Sequence, residues 1–592
     1  MSDKIEKLKE ILKNKGINEE ELNSCLVEIE EELNVLRIKT DKKYGLIWEE
    51  KEEDICKELT NKYPVLKEIA EREIKTDNTK PTNLLIEGDN LLALNSLLAT
   101  HKNIVNVCYI DPPYNTGNKD FKYNDRFVDK EDSWKHSQWL SFMDKRLKIA
   151  KELLTDDGVI FISIDDNEMC QLKLLCDSIF GENNLVSNLI WINNLKGRQI
   201  DKHIANVNEY ILCYAKNIDN LNFNKLENFN EDITDKYIYE DNISKYAKGV
   251  VLYNTNSKFN IETRKNLTYS IYYNIHTKEC VCIDEKIEKD GMLILPEDNL
   301  LGDDFIKIIP PIRSTNNKRG CWRWSMTKFN NEYKDEIMIV KDSKGNYMAH
   351  TKDRLSVDGA KLSKYKNLIT DISSSAGTSE LTTILNDKVF DYPKPSKLIK
   401  LLLKMSSNKN AIILDFFAGS GTTGHAVLDL NKEDGGNRQF ILCTNNENNI
   451  CEEVTYQRLN KVINGYTTPK GKEVEGLGGN LKYYQCELIE KIDNPLINDS
   501  MLIKNMTEMI KIKSNCFEVL EETDDYIIAQ GINKIVAIAK KRLVKSEILN
   551  NLSKKLCYYE HKTKELYSNL DLSLIDKFEN IAYYKIPKEL LN

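Results

Sequence analysis

Five short runs that are apolar on both faces constrain this chain more than anything else in it. They are 83–86 (NLLI), 104–110 (IVNVCYI), 158–164 (GVIFISI), 411–417 (AIILDFF) and 439–444 (QFILCT), and helical stretches follow several of them. A strand half-exposed to water alternates polar and apolar residues; one that does not alternate is covered on both sides. Continuously apolar strands alternating with helices therefore predict a doubly wound α/β fold with a mostly parallel sheet. Two further runs, 189–192 and 210–214, have no helical pattern between them. They predict an antiparallel pair at one edge of the sheet.

Around these runs the texture changes. With 592 residues, the chain is long enough for about three or four compact units. Ile5, Leu8 and Leu12, then Leu22, Leu26, Ile29, Leu33 and Leu36, stand at helical spacing in a highly charged stretch. They predict an N-terminal helical arm over 1–80. The strand–helix rhythm over 81–217 predicts one half of the sheet, and that over 376–475 the other half. Between them, 218–375 is rich in Asn, Tyr and Lys, lacks the rhythm, and reads as an inserted domain; within it, 269–283 alternates like short antiparallel strands. Residues 476–592 predict a further mixed α/β unit. The 14 cysteines include no C-x-x-C pair, which suits a reducing cytosol and predicts no disulfide scaffold and no metal site. No run of about 18 apolar residues and no secretory signal pattern is present, so the expected location is cytoplasmic, with no membrane partner.

Chemistry concentrates at two turns. Asp111-Pro112-Pro113-Tyr114 follows the apolar run 104–110. Two prolines cannot continue a strand, so the chain turns there, at the edge of the sheet where ligands of open α/β folds sit. The turn offers a carboxylate, carbonyls without competing N–H groups, and an aromatic ring. These suit a planar ring bearing an amino group: the oxygens accept its two hydrogens and the tyrosine stacks on its face. The second turn, Asp415-Phe416-Phe417-Ala418-Gly419-Ser420-Gly421-Thr422, leads from a strand into a helix. Its glycines allow backbone to approach a ligand, and the helix start offers free N–H groups. Alone, such a loop fits a dinucleotide turn or a phosphate loop; the phosphate loop fails because Gly424 is followed by His425 rather than Lys and Ser/Thr. No other Walker-type loop exists in the chain. Together, the two turns describe a two-substrate site.

Asp-Pro-Pro-Tyr with Phe-x-Gly-x-Gly resembles the S-adenosylmethionine-dependent DNA amino-methyltransferases. The catalytic motif precedes the cofactor motif, as in their β group. Longer stretches, among them LLIEGDNLLALNSL, YIDPPYNTGNKDF, NEYILCYAKN, FDYPKPSKLIKLLL and LDFFAGSGTTGHAVLDLNKEDGG, are similar to the Mod subunits of type III restriction–modification systems. The resemblance covers about 80–220 and 375–460. It implies a seven-stranded methyltransferase sheet whose insert is a target-recognition domain. It further implies S-adenosyl-L-methionine as cofactor, double-stranded DNA as substrate, a homodimer, and a separate nuclease–helicase (Res-type) partner. Carried over by position, Asp111 and the Pro112 carbonyl bind the target amine, with Pro113 in the same turn and Tyr114 stacked on a flipped base. Phe417, Ala418, Gly419, Ser420, Gly421 and Thr422 surround the methionine part of the cofactor, and Asp415 lies near its amino group. Asp89 faces its adenine side, Lys394 and Pro395 close over its amino-acid end, and Asn445 or Glu447 takes its ribose.

The implied reaction is transfer of a methyl group to adenine N6 by direct in-line attack. No Pro-Cys pair, the motif of cytosine-C5 methylation, occurs. Cytosine-N4 methylation uses the same geometry; a recognition subunit without turnover and an RNA or protein-glutamine methyltransferase are further alternatives. Reaching an amine inside a duplex requires extruding the base, hence a grip on DNA. The overall charge of −9 argues against one. Over 305–406, however, there are 19 basic and 10 acidic residues. Within that window Arg313, Lys318, Arg319, Trp322, Arg323 and Trp324 interleave cations with aromatics, a pattern suited to phosphate contact and base stacking.

Overall fold

The computed structural model describes residues 46–117, 120–124, 126–197, 203–228, 236–287, 293–294, 296–313, 317–356, 360–490, 506–540, 546–559, 562–568, 577–578 and 580–585. The helical stripes expected between residues 5 and 36 lie outside them. The chain divides into two units, one of residues up to Asn224 and from Lys366 onward, the other Lys225–Tyr365.

In chain order the larger unit begins with α1 (Asp54–Asn61), β1 (Lys62–Glu68), β2 (Ile74–Lys75), β3 (Thr82–Glu87), α2 (Asn90–His101), β4 (Val105–Ile110) and α3 (Lys135–Leu153). Next come β5 (Leu154–Ile164), α4 (Met169–Phe180), β6 (Leu185–Ile192) and β7 (Asn208–Ala215). After the insert follow β8 (Leu368–Ile369), α5 (Ser375–Leu385), α6 (Ser396–Ser406), β9 (Ile412–Asp415), α7 (Thr422–Asp434), β10 (Gln439–Thr444), α8 (Tyr456–Asn464) and β11 (Asn480–Glu490). All eleven strands form one sheet in the order β1-β11-β3-β10-β9-β4-β5-β7-β6-β8, with β2 also on β11. From β11 to β5 every pairing is parallel. The turnabout comes at β7, antiparallel to both β5 and β6.

This corrects the expected strand count and two boundaries. Seven strands, β3-β10-β9-β4-β5-β7-β6, form the middle of the sheet, and four more extend it. The arm expected to be helical over 1–80 contains α1 but then two strands, because Val65 and Leu66 are buried where β1 lies on β11. The unit expected from residue 476 gives its first segment, β11, to this same sheet. Continuous burial explains the apolar runs: Val107, Cys108, Ile110, Ile160, Phe161 and Ile162 have no solvent exposure. Helix α3 covers one face through Trp139, Met143, Leu147 and Ala150, which recur at three- and four-residue intervals and are wholly buried. Burying Met143 and Leu147 contributes about 1.5–3 kcal/mol each.

Beyond residue 505 a five-stranded sheet runs through Glu518–Glu522, Tyr526–Gln530, Lys534–Ala539, Thr563–Ser568 and Ile581–Lys585. Its strands alternate faces: Ile527, Ala529, Val536 and Ile538 enter one core, Ile528, Ile535, Ala537 and Leu566 the other, as the two-residue period of a strand requires.

The inserted unit holds a four-stranded antiparallel sheet (Tyr239–Glu240, Lys245–Val251, Tyr347–Arg354, Ile337–Lys341) and a three-stranded one (Cys280–Asp284, Tyr269–Asn274, Phe305–Ile308). Residues 269–274 pair antiparallel with 280–284. Trp322 sits at the centre of its core with Tyr269, Ile271, Phe329 and Ala349. It is 1% exposed and its Nε1 donates to the Tyr269 carbonyl at 2.6 Å. Trp322→Ala is expected to lower the unit's stability by about 3–5 kcal/mol, seen as an earlier urea transition; an unmoved transition contradicts this packing.

Candidate active site

The register between β4 and β9 creates the site. Val107 lies opposite Ile413 and Cys108 opposite Leu414 in a parallel pair. Both strands therefore end on one edge, where the Asp111 turn and the glycine loop emerge as neighbours. The Asp111 turn is tied from below. Trp139 Nε1 donates to the Pro113 carbonyl at 2.8 Å. Asn115, buried with φ 58°, donates through Nδ2 to Glu168 Oε1 at 2.6 Å and to the Lys135 carbonyl at 3.1 Å. Burial pushes the Glu168 carboxyl up to about 8.

Above this base four polar groups converge. The Lys394 ammonium lies 3.0 Å from Asp111 Oδ1 and 3.1 Å from Glu209 Oε2, and donates to the Tyr114 hydroxyl at 2.8 Å. That hydroxyl is 3.0 Å from Asp111 Oδ1 and 3.0 Å from Glu209 Oε2. Asn193 Nδ2 donates to Glu209 Oε1 at 2.8 Å. Burial opposes charge at every member. For Lys394, the two carboxylates more than offset burial and hold the ammonium above the ordinary lysine value. Asp111 is driven above the usual carboxylate range by burial, with Lys394 pulling down and Glu209 pushing up. Burial also acts to raise Glu209, but Lys394 and the hydrogen bonds from Tyr114 and Asn193 leave it below that range.

The glycine loop is shaped by close contacts. Gly419 (φ 47°) and Gly421 (φ 75°) adopt left-handed backbone, and a Cβ would stand 3.3 Å from the Phe390 ring at the first and 3.1 Å from Thr455 Cγ2 at the second. Gly421 precedes α7 without a side-chain cap, so the helix start retains N–H groups for a ligand. Phe417 packs 5.9 Å from Phe142, and the Ala418 N–H donates to Cys443 O at 3.0 Å. Asp415, 2% exposed, accepts from the Phe417 N–H (3.0 Å) and Thr423 Oγ1 (2.5 Å). Burial pushes its carboxyl up to about 7 against those hydrogen bonds.

Beneath the loop, the wholly buried Arg458 donates to Thr422 Oγ1 (2.7 Å), Ser420 Oγ (3.2 Å) and Glu380 Oε2 (2.8 Å). Glu380 also accepts from the Ser396 N–H, and Thr422 Oγ1 donates to the Lys394 carbonyl at 3.2 Å. The segment 394–396 is thereby fastened to the glycine loop. Gly377 permits the approach of α5, since a Cβ there would fall 2.0 Å from the Pro393 carbonyl.

Asp111, Tyr114 and Lys394 are thus brought into direct contact, with Pro395 at the start of α6. Lys394 points its ammonium at Asp111, whereas its motif suggested the cofactor. Asp89 caps α2 by accepting from the Leu91 N–H at 2.7 Å, and Gly88 beside it bonds to Thr444 O, which places Asp89 next to Asn445. Asn445 is exposed; Glu447 forms an ion pair with Lys122 at 2.6 Å. Glu209, Asn193, Glu380 and Arg458 are not among the residues the sequence singles out; for Glu209 the available signal is its place inside the NEYILCYAKN stretch that carries the resemblance.

The six residues expected at DNA separate into two groups. Arg319 and Trp322 face inward: Arg319 forms a buried ion pair with Glu285, and Trp322 is core. Neither presents a surface, because the same cation–aromatic interleaving also builds an interior. Arg313 donates to the carbonyls of Asn254 and Asn256, Lys318 pairs with Glu262, Arg323 is exposed with Nε on Tyr253 O, and Trp324 lies 4.5 Å under Lys328.

The DNA methylase family model matches residues 105–456. The type III restriction-modification enzyme EcoPI Mod subunit of Escherichia phage P1 is 36% identical over 398 residues, 63% of this chain and 58% of that one. The StyLTI Mod subunit of Salmonella typhimurium is 29% identical over 491 residues, 78% of this chain and 65% of that one. The type II methyltransferase M.KpnI of Klebsiella pneumoniae is 33% identical over 408 residues, 68% of this chain and 90% of that one. The chain thus spans under two thirds of the two Mod subunits and nine-tenths of M.KpnI. The family match includes both turns of the site and more than half of the sequence: this chain belongs to the DNA methylase family.

Proposed function

We propose that the chain is a site-specific DNA methyltransferase acting on adenine N6 of an extruded base, and the modification and recognition subunit of a type III restriction–modification system with a separate nuclease–helicase partner. The observation that carries this reading is the adjacency of the Asp111 turn and the glycine loop on neighbouring strand ends. S-Adenosyl-L-methionine is the cofactor the residues fit. The left-handed glycines let the loop turn tightly against Phe390 and Thr455, the α7 start is uncapped, and the buried Asp415 carboxylate suits an ammonium group.

Bound, the cofactor supplies an electrophilic methyl whose sulfonium leaves as a thioether with the bonding electron pair. This chain's residues orient the nucleophile. Asp111 and the Pro112 carbonyl accept the two amine hydrogens, and the nitrogen lone pair is directed at the methyl carbon. Tyr114 supports the ring. As the N–C bond forms, the nitrogen becomes cationic and releases a proton to Asp111 Oδ1, a carboxylate whose raised affinity for protons suits the task. The rest is orientation and electrostatics. In Asp111→Ala, methyl transfer to duplex DNA is expected to vanish while cofactor binding by calorimetry persists, and nucleoside analysis of the wild-type product is expected to show N6-methyladenine. Retained transfer, or N4-methylcytosine instead, refutes the assignment.

For the DNA grip, a cleft of about 590 Å³ in the inserted unit is the better-supported surface. Lys236, Lys248, Lys341 and Lys361 line it with Tyr237, Tyr239 and one carboxylate, Asp353. Residues 225–365 carry 23 basic and 22 acidic side chains, so four lysines to one aspartate is a local separation of charge within a neutral unit. Asp353 accepts from the Tyr237 hydroxyl at 3.1 Å and pairs with Lys361 at 3.8 Å, which leaves Lys236, Lys248 and Lys341 as the cations it does not pair with. Ammonium groups and tyrosines suit a phosphate backbone. Lys248→Glu with Lys341→Glu is expected to weaken duplex binding and flatten its salt dependence by about 0.9 in log–log slope per lost phosphate contact. Unchanged affinity and slope remove the cleft from the DNA surface.

A further inference from the structure

We infer that Glu209 is a positioning residue for the transfer, acting through Lys394 on Asp111; the inference rests on the function proposed above. Glu209 is nowhere in the Asp111 turn or the glycine loop. It is the second residue of β7, a strand buried from Ile211 onward, and its carboxylate is largely withdrawn from water, with a side chain 12% exposed. A carboxylate at such a place is costly unless it is paired, and its partners are the functional groups of the site. Oε2 faces Lys394 Nζ at 3.1 Å and the Tyr114 hydroxyl at 3.0 Å; Oε1 is fixed by Asn193 at 2.8 Å.

Asn193 is itself anchored. Its carbonyl accepts from the Ser374 N–H at 2.9 Å and Ser374 Oγ at 3.1 Å. Beside it the Trp191 ring lies 5.8 Å from the Lys394 ammonium, held by Nε1 on the Ile372 carbonyl at 2.7 Å. Glu209 therefore stands on a rigid support and holds a cation that would otherwise pair with Asp111 alone. An ammonium bonded only to Asp111 would occupy the oxygen needed by the target amine. Shared between two carboxylates, it can lean on Glu209 when the amine arrives, leaving Asp111 ionised and free to accept. The backbone of Lys394 is meanwhile bonded to Thr422 of the glycine loop, so the same residue sets the distance between the amine side and the cofactor side.

The titratable groups around Glu209 are Lys394, Asp111, Tyr114, Tyr109 and Asp165. Its negative charge raises the proton affinity of Asp111. In Glu209→Gln that push is lost and Lys394 turns wholly to Asp111; both changes move Asp111 ionisation to lower pH. The test measures single-turnover transfer to duplex DNA from pH 5 to 9 for wild type, Glu209→Gln and Glu209→Asp, with cofactor and DNA affinities measured separately. The expected result for Glu209→Gln is a loss on the order of 10²-fold in the transfer rate, little change in either affinity, and an acid limb displaced to lower pH. Glu209→Asp, which keeps the charge, restores the position of the limb. A transfer rate equal to wild type overturns the inference. So does a reduced rate with an unmoved acid limb, which is what a merely structural glutamate gives. A wild-type protein that binds cofactor and DNA but transfers no methyl group defeats the proposed function instead.

Discussion

A parallel pairing of two four-to-six-residue strands governs this molecule. Because β9 lies beside β4 with Leu414 opposite Cys108, turns separated by about 300 residues open onto the same edge of one sheet. A slip of one residue would invert every side chain of the strand between its two faces, and both faces here are buried. Core packing thus fixes the distance between the Asp111 turn and the glycine loop. The geometry of the candidate site is inherited from hydrophobic burial.

The polar chemistry then has to survive in a site that burial made dry. Asp111, Glu209 and Lys394 are tolerable there because one ammonium offsets part of the charge of both carboxylates, and Tyr114 bridges them. Arg458 and Glu380 repeat the device beneath the glycine loop. The two networks meet at 394–396, whose side chain serves one and whose backbone serves the other. The low dielectric that penalises each isolated charge also strengthens their mutual interactions.

The apolar runs were legible in the sequence because double-sided burial leaves no polar positions, and all five became strands at the expected places. The two turns were legible because proline and glycine restrict or release the backbone in ways few other residues can. Legibility ended where a side chain's direction mattered. Nothing local reveals that Lys394 reaches across to Asp111 while its carbonyl faces Thr422. Glu209 differs from a solvated strand end only in the company brought by β4, β6 and the segment at 393–394. Arg319 and Trp322 show the same limit in reverse: a cation beside aromatics describes a nucleic-acid surface and a buried ion pair equally well. The segment 62–75 was read as helix because its charges hide that β11 supplies a strand edge 400 residues later.

The pairing of β4 with β9 also has a temporal meaning. On the ribosome, β4 emerges with its β9 side bare and keeps it so until residues 412–444 follow. At about 5–20 residues per second, the wait is roughly 15–70 s, with β11 and the strands it joins later still. During this interval the inserted unit, whose sheets pair within 225–365, has every contact it needs. The sheet edge where the Asp111 turn and the glycine loop meet therefore stays incomplete long after the inserted unit is whole.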